Sequence, residues 1–120
     1  MQAPSFDNWL EEMKREAGSA GIGMYLMHNG VVRGTTRSGA PVGGMDLTYD
    51  PAALGEAVEA ARTKPGILGV RAWINEGSLV VGDDIMRVVV AGDIRENVFS
   101  ALQELVGSLK TRCVKEKEIS

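Results

Sequence analysis

A seven-residue run rich in β-branched side chains, I-M-R-V-V-V-A at positions 85–91, constrains the fold of this chain more than any other feature. β-Branched residues lose side-chain freedom in a helix, whereas they pack well on the pleated surface of a sheet. We therefore predict a strand over this run, in the middle of a sheet. The rest of the chain must supply the strands beside it and the helices that cover it.

Two amphipathic helices are predicted ahead of that strand. The first is predicted to end at Gly18, a residue type that is common just past a helix. The second begins at Asp50 and Pro51, an N-cap followed by a proline in the first helical position, and ends at Pro65. Their apolar stripes, at helical spacing, are Phe6, Trp9, Leu10, Met13 and Ala17 in the first helix, and Leu54, Ala57, Val58 and Ala61 in the second.

Alternating apolar residues between turn signals predict four further strands, over residues 21–33, 45–49, 67–74 and 78–81. Asp83 and Asp84 follow a glycine and are predicted to form a turn. Residues 34–44 carry four glycines and a proline, which is typical of a mobile surface loop. This order of elements indicates one α+β domain over residues 1–120, with a mostly antiparallel sheet and helices covering one face.

The segment at residues 93–117 is predicted to be a third helix with a cationic end. Asp93 and Glu96 have the spacing of a capping box. The apolar stripe that follows is Val98, Leu102, Leu105, Val106 and Leu109. The cationic end consists of Lys110, Arg112, Lys115 and Lys117. Cations at this end could hold an anion or could simply interact with the helix dipole, whereas Arg95 at the helix start opposes the dipole and would suit a phosphate or carboxylate.

Composition excludes several functional classes. A net charge of −3 argues against the broad basic face that nucleic acid or an anionic membrane requires. No apolar run approaches the roughly 20 residues that cross a bilayer, and the acidic first residues do not resemble a signal peptide. We therefore expect a cytoplasmic protein. A single histidine, His28, and a single cysteine, Cys113, exclude a Cys/His metal cluster and an intramolecular disulfide.

The chain offers few candidates for hydrolytic catalysis. His28 lies on a predicted strand beside Asn29-Gly30, where a turn is expected, and it lacks the spacing of a catalytic triad. Cys113 has neighbouring cations that would lower its thiol pKa, but it has no second catalytic partner in the sequence. The large aromatic residues are predicted to lie on core faces, namely Trp9, Trp73 and Phe99.

Several segments share their order and spacing with one known family. They are the helix E-A-V-E-A-A-R, the run G-V-R-A-W-I-N-E-G-S-L-V-V-G-D-D-I-M-R-V-V-V-A-G, and the helix I-R-E-N-V-F-S-A-L-Q-E-L-V-G-S-L-K-T-R. Upstream, N-G-V-V-R at residues 29–33 has the pattern Gly-x-Val-Arg at a strand end. Over roughly residues 20–118 the chain thus resembles the catalytic (large) subunit of molybdopterin synthase, the MoaE family, as a short and divergent member.

The resemblance implies a fold, a reaction and partners. It implies an α/β-hammerhead-like domain that forms a homodimer, and we expect this domain to have neither a cofactor nor a metal. Family members accept the C-terminal Gly-Gly tail of a small ubiquitin-like sulfur carrier, which bears a thiocarboxylate. The sulfur goes to a pterin phosphate substrate, cyclic pyranopterin monophosphate, to form molybdopterin. The implied function is therefore a sulfur transfer in molybdenum cofactor biosynthesis.

The resemblance also implies site residues. Lys110 matches the essential lysine of L-K-T-R, and Lys117 lies at the spacing of the second catalytic lysine. Which of the two acts as acid, base or tail-binding group is open. Arg33 and Arg95 match substrate-binding arginines, and Arg112 is a further cation expected around the anion. The prediction requires both lysines, Arg33 and Arg95 to meet in one pocket.

Three departures from the family pattern leave alternatives open. Ile94 stands where the family usually has histidine, V-K-E at residues 114–116 replaces an aromatic pair, and His28 occupies a usually apolar position. These departures are compatible with a non-catalytic dimeric relative that docks a partner. A third possibility is an unrelated α+β ligand-binding domain in which L-K-T-R occurs by chance.

Overall fold

The computed structural model of the chain describes residues 3–17 and 20–120, so that Gly18, the predicted end of the first helix, lies outside the described residues. The helices are α1 (Phe6–Ala17), α2 (Pro51–Arg62) and α3 (Arg95–Ser108). The strands are β1 (Met24–Val31), β2 (Gly44–Tyr49), β3 (Ile67–Ile74), β4 (Gly77–Val80), β5 (Asp84–Gly92) and β6 (Val114–Ile119). A short π-helix, Leu109–Cys113, continues from α3 and is called the π-turn below. None of the helices in these residues is long and apolar enough to cross a membrane.

The strands form two antiparallel sheets, where the sequence predicted one. The first has the order β1-β5-β3 and the second the order β4-β2-β6. The predicted helix through residue 117 is wrong beyond Cys113, because Val114–Ile119 runs antiparallel to β2 as a strand. The pairing supplies hydrogen-bond partners to the backbone N–H and C=O groups along that side of β2. If α3 continued as a helix, those groups would have no partners.

The predicted central strand is confirmed, and both of its faces are buried. On one face Val88 and Val90 pack in the main core with residues of α2 and α3. On the other face Val89 and Ala91 pack against Met13 of α1. All four β5 side chains are fully buried. The helices therefore cover both faces of this sheet and not one, which explains why residues 88–91 are continuously apolar instead of alternating.

The helix starts were predicted with mixed success. Asp50 caps α2 as predicted, accepting hydrogen bonds from the backbone N–H groups of residues 52 and 53 at 3.0 and 3.3 Å. The capping box predicted for α3 is wrong, because the N-cap residue is Ile94, whose side chain makes no capping hydrogen bond. Asp93 instead accepts from the Asn97 side-chain amide and from the Ile94 N–H. These two hydrogen bonds lower the pKa of Asp93.

Gly92 is required where β5 meets α3. A Cβ at this position would lie 2.6 Å from Val98 Cγ2 and 2.7 Å from the Gly66 carbonyl oxygen. We expect Gly92→Ala to lower the free energy of unfolding by about 1–3 kcal/mol, because the core must shift to admit the methyl group. Chemical denaturation measures this change.

Gly55→Ala is the matched control, because Gly55 lies within α2 and a Cβ there meets no atom within 4 Å. This substitution should raise the free energy of unfolding by about 0.5–1 kcal/mol, since alanine favours a helix more than glycine does. Equal effects of the two substitutions would contradict the close packing at Gly92.

Candidate functional site

Arg33 and Lys110, two of the predicted site residues, line the same cavity of about 540 Å³. Three further charged side chains line it as well: Arg37, Glu116 and Glu118. The buried side chains of Met45 and Ile85 contribute an apolar part of its wall. The cavity thus combines three cations and two carboxylates with an apolar surface, which suits an anionic ligand that also has a flat or apolar portion.

The π-turn positions Lys110. Leu109 and Cys113, at 0% and 4% exposure, are four residues apart and fix the turn to the core. Lys110 follows the first of these buried residues and extends toward the cavity, where its Nζ lies 3.5 Å from Glu116 Oε2. Single turns of π-helix are frequent at functional sites. Here the turn holds the backbone of Lys110 in a fixed position at the edge of the cavity.

The backbone next to Arg33 is also held in a fixed position. The preceding residue, Val32, is 2% exposed. Its N–H donates to the Asp83 carbonyl oxygen, and its own carbonyl oxygen accepts from the Gly82 N–H, both at 2.9 Å. The predicted turn lies between β4 and β5 but is shifted toward the N-terminus, because Val81 and Gly82 form it and Asp84 already belongs to β5. This turn holds the chain immediately before Arg33. The Arg33 guanidinium can therefore reach the cavity from an ordered backbone.

The glycine-rich loop at residues 34–44 contributes a cation that the sequence analysis missed. Thr35 and Pro41 form an isolated bridge, and within it Thr36 N–H donates to the Ala40 carbonyl oxygen at 2.8 Å. This turn brings Arg37 to the cavity wall beside Arg33. An arginine within a glycine-rich loop directly after Arg33 was the available signal. The mobility of the loop stays a prediction.

The register of β6 decides which of its side chains reach the cavity. Glu116 is paired with Leu47, which is 1% exposed, whereas Lys117 is paired with the exposed Asp46. Directly opposed residues share a face of the sheet, and successive residues alternate between faces. Glu116 and Glu118 therefore lie on the cavity side, and Lys117 lies on the opposite side. Both glutamates were missed because the sequence analysis predicted a helix through residue 117 and no strand after it.

The remaining predicted site residues lie elsewhere in a single chain. Arg112 is two residues beyond Lys110 on the π-turn and lines a separate depression of about 350 Å³. Arg95 is exposed in the first turn of α3, and a rise of 1.5 Å per residue places it about 22 Å from Lys110 along the helix. One chain therefore brings Arg33 and Lys110 together but leaves out the other three, Arg95, Arg112 and Lys117.

Cys113 has no feature of a reactive cysteine. It is 4% exposed and anchors the π-turn. Burial raises the pKa of its thiol, although the charge of Arg112 acts in the opposite direction. The expectation of a lowered thiol pKa is therefore wrong, because the effect of burial exceeds that of the Arg112 charge. A nucleophilic thiolate is disfavoured because the deprotonated form would be buried.

His28 lies in an apolar groove of about 420 Å³ between β1 and α3. The turn predicted beside it is wrong, because β1 continues to Val31. Among the described residues its Nε2 atom is buried and has no hydrogen-bond partner. Burial, and to a lesser extent the charge of Lys110, lower the pKa of His28. Phe99 also lines this groove and is 49% exposed, so that its predicted place in the core is wrong.

The lowered pKa of His28 predicts a pH dependence of stability. The unfolded chain takes up a proton near the ordinary value of 6.5, before the folded chain does. Stability present above that pH is therefore lost as the pH falls toward the lower folded pKa. We expect the free energy of unfolding to decrease between about pH 7 and pH 5.5. Urea titrations across this range measure the change.

His28→Leu is the comparison, because His28 is the single histidine of the chain. This variant should show a flatter pH dependence and should be the more stable protein near pH 5.5, since it removes a buried polar atom without a partner. The same slope in both proteins would show that His28 does not cause the pH dependence.

Comparisons with known proteins place this geometry in a family. Solved structures with the same fold include molybdopterin synthase from Staphylococcus aureus, with 18% identity, a TM-score of 0.79 and coverage of 99% of this chain and 87% of that one. A molybdopterin biosynthesis MoaE protein from Burkholderia ambifaria has 21% identity and a TM-score of 0.76, with coverage of 99% and 84%.

A third structure, a complex of subunits 1 and 2 of molybdopterin-converting factor from Helicobacter pylori, has 17% identity, a TM-score of 0.68 and coverage of 98% and 84%. No curated protein sequence matches the chain. The family model described as "MoaE protein" matches residues 5–112, which is most of the sequence. The chain therefore belongs to the MoaE family.

Proposed function

We propose that this chain transfers sulfur from the C-terminal thiocarboxylate of a small ubiquitin-like partner to cyclic pyranopterin monophosphate, forming molybdopterin. Membership of the MoaE family supports a role in molybdenum cofactor biosynthesis. The Helicobacter pylori protein of similar fold is a complex of two subunits, which supports a partner subunit. The observation that carries the proposal is the shared cavity of Arg33, Arg37 and Lys110. A cytoplasmic location remains part of the proposal.

The cavity offers a group for each requirement of this reaction. The planar forks of Arg33 and Arg37 suit the phosphate of the substrate. Met45 and Ile85 offer an apolar surface to the pterin rings. After the thiocarboxylate sulfur bonds to the pterin, water attacks the acyl carbon and the acyl–sulfur bond breaks, which leaves a carboxylate on the tail. The carbonyl oxygen develops negative charge during this attack, and the Lys110 ammonium can stabilise that charge or supply a proton.

The second element of the proposal is a homodimer, and α3 supports it. Arg95, Phe99, Leu102, Val106 and Lys110 are spaced by four, three, four and four residues, which places them on one face of the helix. Three of them are apolar and line the groove between α3 and β1, where Phe99 is 49% exposed. A half-exposed phenylalanine in an apolar groove is a feature of protein interfaces.

A two-fold axis through the middle of this face would bring the site residues together. In a two-fold interface residue i of one copy meets residue j of the other, and the reverse contact also forms. If two α3 helices pair antiparallel about Leu102, Arg95 of one copy lies near Lys110 of the second. Arg95, which one chain leaves about 22 Å from Lys110 along the helix, would then reach the cavity of the second copy.

A non-catalytic relative that only binds a partner is the second candidate function. The observation that favours it is the pair of carboxylates, Glu116 and Glu118, which lines the cavity beside Lys110. Ile94, at the N-cap of α3, also has no polar group to offer a substrate. A purified protein that binds the tailed partner but does not convert the pterin would establish this alternative.

Lys110→Ala tests the catalytic proposal. We expect sulfur transfer from a thiocarboxylated partner to fall by at least about 100-fold, because the variant lacks the cation that meets the developing charge. Formation of the dithiolene product reports this rate, measured with at least two thiocarboxylated partners per pterin because the dithiolene contains two sulfur atoms. Lys117→Ala removes the same side chain from the outer face of β6 and should change the rate by less than about threefold. A larger loss with Lys117→Ala than with Lys110→Ala would contradict the assignment.

A mixing experiment tests whether Arg95 acts across the dimer. Arg95→Ala and Lys110→Ala should each be nearly inactive alone. After the two variants are mixed and exchange subunits, half of the dimers carry one intact site of two, so that about a quarter of the wild-type rate should return. The rate is measured before and after mixing. No recovery, despite subunit exchange shown with tagged copies, would place Arg95 outside the site.

A further inference from the structure

Two carboxylates on β6 occupy a place in the cavity that the sequence predicted for cations. Of the four charged residues from 115 to 118, the two lysines lie on the outer face, and Glu116 and Glu118 line the cavity. The Glu116 side chain is 24% exposed, and its Oε2 lies 3.5 Å from Lys110 Nζ. Among the described residues Glu116 is the one acidic side chain paired with Lys110.

This pair affects any anion that uses Lys110. A ligand anion must share the lysine with Glu116 or displace it. The pair is partly exposed, and ion pairs of this kind are weak enough to open. After displacement the carboxylate stays on the same strand face, a few ångströms from the new anion. The repulsion between them grows with the charge of the ligand.

We propose that Glu116 is a specificity-determining residue that makes the cavity favour a phosphate diester, with one negative charge, over a phosphate monoester, with two. The proposal rests on the proposed function, because cyclic pyranopterin monophosphate is a cyclic diester. Glu116 and Glu118 line the cavity and repel a bound anion in proportion to its charge. A monoester carries close to two charges above pH 7, so that this repulsion is about twice that on a diester.

Two commercially available nucleotides test this preference by direct binding. Guanosine 3′,5′-cyclic monophosphate is a diester, guanosine 5′-monophosphate is a monoester, and both carry a ring edge like that of a pterin. Their dissociation constants are measured by calorimetry or NMR at pH 8 and low salt, for the wild type and for Glu116→Gln. The wild type should bind the cyclic nucleotide more tightly.

Glu116→Gln should increase the affinity for the monoester by about fivefold or more, since a charge is removed from within about 4 Å of the added phosphate charge. Its affinity for the cyclic nucleotide should rise less, so that the preference of the wild type shrinks or reverses. The effect should decrease at high salt. Glu11→Gln is the control, because it removes the same charge from an exposed position on α1 and should change neither constant.

Other outcomes would overturn the inference. Equal gains for both nucleotides would show a general charge effect, and weaker binding by Glu116→Gln would show that Glu116 only orients Lys110. If the wild type binds both nucleotides and the variant shows the same ratio, the inference fails and the proposed function stands. If neither protein binds either nucleotide, the inference fails, and the sulfur-transfer assay decides separately on the proposed function.

Discussion

The burial of β5 on both faces is the constraint on which the rest of the structure depends. Each fully buried valine of this strand stabilises the fold by about 1.5–3 kcal/mol relative to an exposed one. That gain requires α1 on the side of Val89 and Ala91, and α3 on the side of Val88 and Val90. Once α3 lies there, its last turn reaches the end of β1. Lys110 and Arg33, which are 77 positions apart in sequence, meet for this reason.

Local patterns were sufficient to predict most elements of the fold, but not the final strand. The segment V-K-E-K-E-I has apolar residues only at its two ends, and lysine and glutamate are poor strand formers. Its conformation is decided by β2, which lies about 70 positions earlier and pairs with it from Gly44 to Tyr49. Helical or alternating periodicity reports on neighbouring residues only, so it does not indicate which distant strand will pair with this segment. The capping box predicted at the N-terminus of α3 is wrong for a related reason. The Asn97 side-chain amide donates a hydrogen bond to Asp93, and Ile94 is the N-cap.

At the site, the sequence indicated suitable residue types but not which way each side chain extends. The L-K-T-R motif identified Lys110, and its neighbours Leu109 and Cys113 are buried in a way that fixes where it extends. For Lys117 the residue type was suitable, but a strand alternates its faces, so that a shift of one position replaces a lysine in the cavity with a glutamate. Arg37 could not be assigned from the sequence, since its place depends on how the glycine-rich loop closes between Thr35 and Pro41. Charged residues close in sequence thus lie on three surfaces: Lys110 at the cavity, Arg112 at a separate depression and Lys117 on the outer face of β6.

The charge balance of the cavity links the proposed dimer to the proposed ligand. Within one chain, three cations and two carboxylates line the cavity, which leaves an excess of one positive charge. In the proposed dimer Arg95 of the second copy adds another cation. A phosphate that contacts Arg33 of one copy and Arg95 of the other binds more tightly to the dimer than to the separate chains. By linkage the same ligand then stabilises the dimer by an equal free energy. In the proposed dimer, pairing through the groove between α3 and β1 would complete a site of which one chain holds only Arg33 and Lys110.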